Sequence, residues 1–231
     1  MQLKQEIEDL AKTIISFADS YENSKEKKKI EKSDSESTPF LIEVTSSLQI
    51  LQNQLKNNNA YKSVTQTPNL LQSLSILSNY KFGTHKSEQV DQQRLALRSS
   101  SRWCLYWIHF YGNEQDQSNL VNQGYGRVMS IIISTAGGAG EEQDKNIWCE
   151  LRFIYLFLGA LHEGRKCSPS FQPLPLLEQS MKEQMEEEGA NEEVDAQMIS
   201  SGFDLMRQVQ FAKETILNHF VMNHFIHKRR R

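Results

Sequence analysis

Cysteine and histidine are the residues in this chain whose chemistry would be most informative. The three cysteines, Cys104, Cys149 and Cys167, form no C-x-x-C pair. Two of them follow a tryptophan inside an apolar run, where a free thiol behaves as a small buried hydrophobe. Cys167 instead lies in a loop rich in Gly and Pro, so it is the cysteine to test for reactivity. No serine lies in a GxSxG turn, and we predict that the chain is not an enzyme.

The candidate ligand-binding motifs are all incomplete. His219, His224 and His227 cluster late in the chain, but a zinc site needs three or four ligands and no Cys, Asp or Glu is close in sequence. The Gly-rich run 134–142 lacks the P-loop lysine, and the Gly-Tyr-Gly at 124–126 lacks the third glycine of a dinucleotide fingerprint. We therefore predict no catalytic, cofactor-binding or metal-binding residues and no cofactor.

The charges nearly cancel, yet they are separated along the chain. With 26 Lys and Arg against 29 Asp and Glu, the formal charge is −3. This balance argues against a protein that is basic overall and binds polyanions over its whole surface. A basic tail at the C-terminal end consists of Lys228, Arg229, Arg230 and Arg231. It would act as a nuclear-import signal or make a weak, salt-sensitive contact with nucleic acid. A nucleic-acid-associated accessory protein using this tail is the alternative function.

The first element that the sequence predicts is an amphipathic helix over residues 1–21. Its apolar residues alternate steps of four and three, which places them on one helix face. A charged, Ser-rich segment at 22–37 follows and is predicted to be a flexible linker. A helix held this way can dock on a partner or fold back on the helical domain predicted for 38–231. The N-terminal stripe, predicted to bind a partner, consists of Leu3, Ile7, Leu10, Ile14 and Phe17.

Further helices are predicted downstream. Thr38-Pro39 and Thr67-Pro68 each carry a helix-start signal, and the two helices that follow are predicted to pair as an antiparallel hairpin. A third helix over about 88–112 is apolar nearly all round at its C-terminal end, which predicts a central position in the fold. The β-branched stretch within 119–134 is predicted as helix, because no second strand-like run offers it a partner.

The dipeptide Trp103-Cys104 recurs 45 residues later as Trp148-Cys149. HEAT and armadillo hairpins repeat every roughly 40–47 residues. The predicted fold is therefore all-α, built of antiparallel helical hairpins. Two arrangements stay open, a HEAT/armadillo-like α-solenoid fragment and an irregular helical bundle.

The function predicted from these features is a non-enzymatic protein–protein interaction or scaffold module, as a subunit of a larger complex. The partner is another protein, whose identity the residues do not reveal. No apolar run approaches the roughly 20 residues that cross a bilayer, so no membrane partner is predicted. Unpaired cysteines favour a reducing compartment, and we expect a cytoplasmic or nuclear location.

Overall fold

The computed structural model describes residues 2–27, 38–57, 61–81, 84, 86–133, 144–190, 192–194 and 203–216. Within these residues the regular structure is helical, apart from an isolated bridge between Arg165 and Phe171, and the all-α prediction is confirmed. No helix in this part of the chain is long and apolar enough to cross a membrane. The helices are α1 (Gln2–Lys27), α2 (Thr38–Lys56), α3 (Tyr61–Gln66), α4 (Leu70–Ser78), α5 (Glu88–Tyr111), α6 (Glu114–Asn122), α7 (Tyr125–Ile133), α8 (Asp144–Glu163), α9 (Pro175–Glu187) and α10 (Phe203–Ile216).

The chain divides into two compact units, Met1–Tyr125 and Gly126–Arg231. Helix α1 belongs to the first of these units, and the boundary between the units lies inside the stretch 38–231. Helix α1 also runs to Lys27, past its predicted end at residue 21. Glu and Lys favour helix, and the Lys25 ammonium lies 4.4 Å from the centre of the Tyr21 ring. The rest of the predicted linker, 28–37, lies outside the described residues.

The first unit consists of two stacked helical hairpins, α1–α2 and α4–α5. Helix α1 packs on α2 and α4, and α5 packs on the same two helices. Rings of Phe17, late in α1, and Phe40, early in α2, meet at 5.2 Å, as expected for an antiparallel pair. Antiparallel neighbours stacked with α1 on α4 and α2 on α5 form the arrangement of an α-solenoid. In an up-and-down bundle α2 would pack mainly on α4.

Helices α2 and α5 run parallel in this stack. The Cys104 thiol lies 3.8 Å from the carbonyl oxygen of Leu48, and the Tyr111 hydroxyl donates to the carbonyl oxygen of Lys56 at 3.0 Å. The contacting residue numbers therefore increase together along α2 and α5. This parallel pair forms one layer of the unit, and α1 and α4 form the other.

Three buried arginines join α5 to the end of α4. The carbonyls of a last helical turn have no intrahelical partner, and here a guanidinium group donates to the carbonyl of Ser78, the last residue of α4, while two others donate to carbonyls of the segment that follows. Arg102 Nε and Nη2 donate to the Ser78 carbonyl oxygen at 3.2 and 3.1 Å. Earlier along α5, Arg98 donates to the carbonyl of Tyr80 and Arg94 to that of Thr84. The pairing runs in opposite directions along the two segments, so α4 and α5 are antiparallel.

Two predictions about the helices of this region are wrong, and one helix was not predicted. Helix α4 begins at Leu70 after Asn69, and Thr67 is no N-cap: its hydroxyl donates back to the Ser63 carbonyl oxygen at 2.8 Å. The predicted hairpin of α2 with α4 is replaced by the pairs α1–α2 and α4–α5, because α1 occupies a position against both α2 and α4. Helix α3 was not predicted, since six residues are too few to show a helical period.

The Trp-Cys dipeptide that recurs after 45 residues does not occupy equivalent positions in two helices. Trp103 lies in the second half of α5, whereas Trp148 lies near the start of α8. The prediction of helix over 119–134 is confirmed for its described residues, as α6 and α7. These two helices are separated by a break at Gly124, whose φ is +77°.

In the second unit α8 packs on α10 and α9. Rings of Tyr155 and Phe211 meet at 5.5 Å between α8 and α10. Between α8 and α9, the buried carboxylate of Glu178 accepts from His162 Nδ1 at 2.9 Å; within α9 it also accepts from Lys182 Nζ at 2.5 Å. The His162–Glu178 contact joins the C-terminal end of α8 to the N-terminal end of α9.

We expect Gly164→Ala to destabilise the second unit by about 2 kcal/mol or more, whereas Gly124→Ala costs about 1 kcal/mol in the first. Both glycines have positive φ, +73° and +77°. A Cβ at Gly164 would lie 2.6 Å from the Phe171 carbonyl oxygen, but at Gly124 it meets nothing within 4 Å. Urea unfolding of each variant measures the difference. Equal losses would show that the backbone conformation alone matters.

Candidate interaction surface

Helix α5 carries aromatic side chains on the face opposite its core side. Its aliphatic side chains at 97, 104, 105 and 108 are buried, as predicted for a central helix. The aromatic side chains follow the four-residue spacing that places neighbours along one helix face. We call this surface the aromatic ridge; it consists of Trp103, Tyr106, Trp107, Phe110 and Tyr111.

The rings of the ridge form two rows. Along the first row Trp103, Trp107 and Tyr111 are nearly parallel, with centroids 6.1 and 5.9 Å apart and interplanar angles of 28° and 21°. The second row, Tyr106 and Phe110, has a tilt of 32°. Between the rows the rings meet edge to face, at 86° for Trp103 with Tyr106 and 84° for Trp107 with Phe110. Edge-to-face geometry suits the aromatic quadrupole, so the ridge is a preorganised surface.

The prediction that α5 is apolar nearly all round at its C-terminal end, and therefore central, agrees with its packing on α2 and α4, and Tyr106 of the ridge is buried. Phe110 is 47% exposed, and Trp103, Trp107 and Tyr111 are half-buried. The sequence contained a usable signal, because aromatic residues at 103, 107 and 111 share a face that the aliphatic residues do not. Hydropathy alone does not reveal it, since a tryptophan counts as apolar on either face.

The Trp107 indole N–H is buried and has no hydrogen-bond partner among the residues that the structure describes. A buried donor without an acceptor costs roughly 1–3 kcal/mol of stability. Buried tryptophan nitrogens usually find an acceptor, so Trp107 departs from the usual pattern.

We expect Trp107→Phe to change the free energy of unfolding by less than about 0.5 kcal/mol. The phenylalanine buries less area, but it removes the orphaned N–H, and these effects oppose each other. Trp107→Ala, by contrast, should cost about 2 kcal/mol, because it removes the ring altogether. Urea unfolding followed by circular dichroism measures both. Similar losses for the two variants would mean that the N–H carries no penalty.

The N-terminal stripe lies against the chain's own body. Ile7, Ile14 and Phe17 are buried where α1 packs on α2 and α4, Leu10 is half-buried, and Leu3 is 37% exposed. The sequence left open whether α1 docks on a partner or folds back on its own chain. In the structure α1 is folded back on its own chain. The predicted partner-binding role of the stripe therefore requires α1 to leave this position.

The sequence also singled out the basic tail, three late histidines and the cysteines, and of these the cysteines lie in the described part of the chain. The basic tail of Lys228, Arg229, Arg230 and Arg231 lies outside the described residues, as do the three late histidines. Cys104 is buried, and burial raises the pKa of its thiol. Cys167 is exposed. Within the described part of the chain, no three His, Cys, Asp or Glu residues come together to hold a metal ion.

Comparison with known proteins finds little that resembles this chain. No protein-family model and no curated protein matches it. A designed armadillo repeat protein, solved in complex with the peptide (KR)4, aligns with 94% of this chain and 100% of its own at 12% identity, with a TM-score of 0.27. The fold described above rests on the packing of the helices.

Proposed function

We propose that this chain is a non-enzymatic protein-interaction module whose docking surface is the aromatic ridge of α5. The observation that carries the proposal is the cluster of five aromatic side chains on one side of α5, of which Phe110 is 47% exposed, three are half-buried and Tyr106 is buried. Tryptophan and tyrosine are the residues most enriched where binding energy concentrates in protein interfaces. A contiguous apolar patch of this kind is typical of an interaction site.

The ridge also has the rigidity that favours binding. Its side chains stand on a helix that packs on α2 and α4, and each ring is supported by neighbouring rings. Aromatic side chains have few rotatable bonds, so ordering them on association costs little entropy. Rigid, preorganised side chains lose less free energy on association than flexible ones.

Buried polar groups in the first unit support a structural role. His109 Nδ1 donates to Gln117 Oε1 at 3.0 Å, and Gln117 Nε2 donates to the carbonyl oxygens of His109 and Gly112 at 3.0 Å. The amide thus ties the end of α5 to α6. Nearby, the Tyr61 hydroxyl donates to Asp116, which also caps α6 with Asn113. The hydrogen bonds of these groups join neighbouring helices.

The test compares proteins that copurify with the tagged full chain from its native cells. Phe110→Glu places a charge on the ridge, and glutamate is compatible with helix. Leu176→Glu is the control, because Leu176 is 80% exposed on α9, away from the ridge in sequence. We expect specific partners to fall roughly tenfold or more with Phe110→Glu and to persist with Leu176→Glu. Unchanged partners in a folded Phe110→Glu protein would overturn the proposal.

A further inference from the structure

The connection between α4 and α5 places an exposed threonine beside a buried arginine. Thr84 is exposed, and its hydroxyl donates to the Lys81 carbonyl oxygen at 2.7 Å. The Arg94 side chain is buried, and its Nη1 donates to the Thr84 carbonyl oxygen at 2.9 Å and to the Thr84 hydroxyl oxygen at 3.3 Å. An accessible hydroxyl therefore lies within hydrogen-bond distance of a positive charge that the fold holds in place.

We propose that Thr84 is a phosphorylation site and that Arg94 binds the phosphate once it is attached. The site lies outside the aromatic ridge and goes beyond the proposed function. A protein kinase supplies the phosphoryl group from a nucleoside triphosphate. The Thr84 Oγ1 forms a bond to the γ-phosphorus, and the bond from that phosphorus to the oxygen bridging it to the β-phosphorus breaks. The hydroxyl proton passes to the base of the kinase, and the nucleoside diphosphate leaves.

The position of Thr84 makes its hydroxyl accessible to a kinase. Segments that connect helices run over the protein surface, where other proteins can bind them. Thr65 is a matched comparison, because its hydroxyl also donates to the carbonyl oxygen of a lysine three residues earlier, Lys62, at 3.4 Å. Thr65 is half-buried within α3, so its backbone is not available in an extended form. We therefore expect Thr84, but not Thr65, to be modified.

The charges around Thr84 favour a bound phosphate. A phosphate group carries about −1.5 to −2 charges, and a guanidinium group matches its acceptor oxygens. Because Arg94 is buried, its charge is screened less than that of an exposed arginine. Two carboxylates in the first turn of α5 oppose the phosphate: exposed Glu88, and Asp91, whose Oδ1 lies 3.4 Å from Arg94 Nη1. The phosphate carries more charge than one carboxylate, so it competes effectively for the guanidinium.

Mass spectrometry of the full chain purified from its native cells tests whether the site is used. Growing and stressed cells are lysed with phosphatase inhibitors, and fragmentation localises any phosphate within the peptides. We expect phosphate at Thr84 and none at Thr65. Peptides that cover Thr84 in every sample without phosphate would overturn the proposal. Equal phosphate at both threonines would also overturn it, because neither exposure nor Arg94 would then distinguish the two sites.

Phosphorus NMR of the folded chain with phosphothreonine installed at position 84 tests the contact with Arg94. A nearby guanidinium favours the dianion, so the pKa of the phosphate should lie about half a pH unit or more below that in a free peptide of residues 79–88. Arg94→Met should return this pKa to the peptide value. Asp91→Asn should lower it further, because a competing carboxylate is removed. Circular dichroism checks that each variant is folded.

Amide exchange in the first turn of α5 provides a second measurement of the same contact. A charged hydrogen bond between the phosphate and Arg94 should slow this exchange roughly tenfold on phosphorylation, and phosphorylation should have no such effect in Arg94→Met. A phosphate pKa in the wild type equal to that of the peptide would show that Arg94 does not bind the phosphate. A lowered pKa that persists in Arg94→Met would show that another cation binds it. Either result overturns the assignment of Arg94.

Discussion

Ile14→Ala will lower the free energy of unfolding of the first unit by about 4 kcal/mol. Ile14 is fully buried on the inner face of α1, where that helix packs on α2 and α4. Removing its side chain loses the transfer free energy of three carbons and leaves a cavity that rigid neighbouring helices cannot fill. Urea unfolding, followed by hydrogen exchange of peptides from α1, measures the loss and where it falls.

The adjacent isoleucine is the matched control for this experiment. Ile15 is half-buried and lines a surface groove of about 380 Å³ beside Pro68. Ile15→Ala makes the same chemical change one residue away, and we expect it to cost about 1 kcal/mol, because the shortened side chain leaves no enclosed cavity. If both variants lose the same small amount, α1 does not pack in the position described, and the N-terminal stripe is free for a partner.

Arg102→Met will destabilise the first unit by about 3 kcal/mol. The methionine keeps the length of the side chain but cannot donate to the Ser78 carbonyl oxygen, which Arg102 contacts through both Nε and Nη2. Hydrogen bonds from a charged donor are worth about 1.5–3 kcal/mol each in net stability, and a buried carbonyl left without a donor adds to the loss. Urea unfolding and faster amide exchange at the end of α4 should report it together.

Arg127→Met is the control for burial. Arg127 Nη2 lies 2.6 Å from Glu187 Oε2, closer than any Arg102 contact with Ser78, but its side chain is 53% exposed. Solvent screens an exposed ion pair, so the urea midpoint of this variant should not move. A shift as large as that of Arg102→Met would mean that distance, rather than burial, sets the value of an arginine contact here.

Local patterns in the sequence were sufficient to place most helices. Apolar stripes with a helical period marked α1, α2, α4, α5 and α8, and glycine or charged turns marked several of their ends. These predictions succeed because helix formation depends on residues three and four apart, which are adjacent in sequence. The one helix that was missed, α3, is too short to show a period.

Which helices pair could not be derived in the same way. The predicted hairpin of α2 with α4 rested on two similar start signals, but such signals carry no information about distant partners. The structure instead places α1 against both helices, and buried arginines of α5 meet the end of α4. The Arg102–Ser78 contact, for example, joins residues 24 positions apart, and nothing in a local pattern selects among the possible partners.

The sequence by itself determined that this protein is built of helices, that its three cysteines form no C-x-x-C pair, and that α5 is rich in aromatic residues. Those properties follow from composition and from the helical period. Only the tertiary structure decided that α1 folds back on its own chain and that, among the aromatic residues of α5, Tyr106 is buried whereas Phe110 is exposed. The reason is that apolar side chains can lie on more than one face of a helix, and the neighbouring helices that pack against it determine which face is buried.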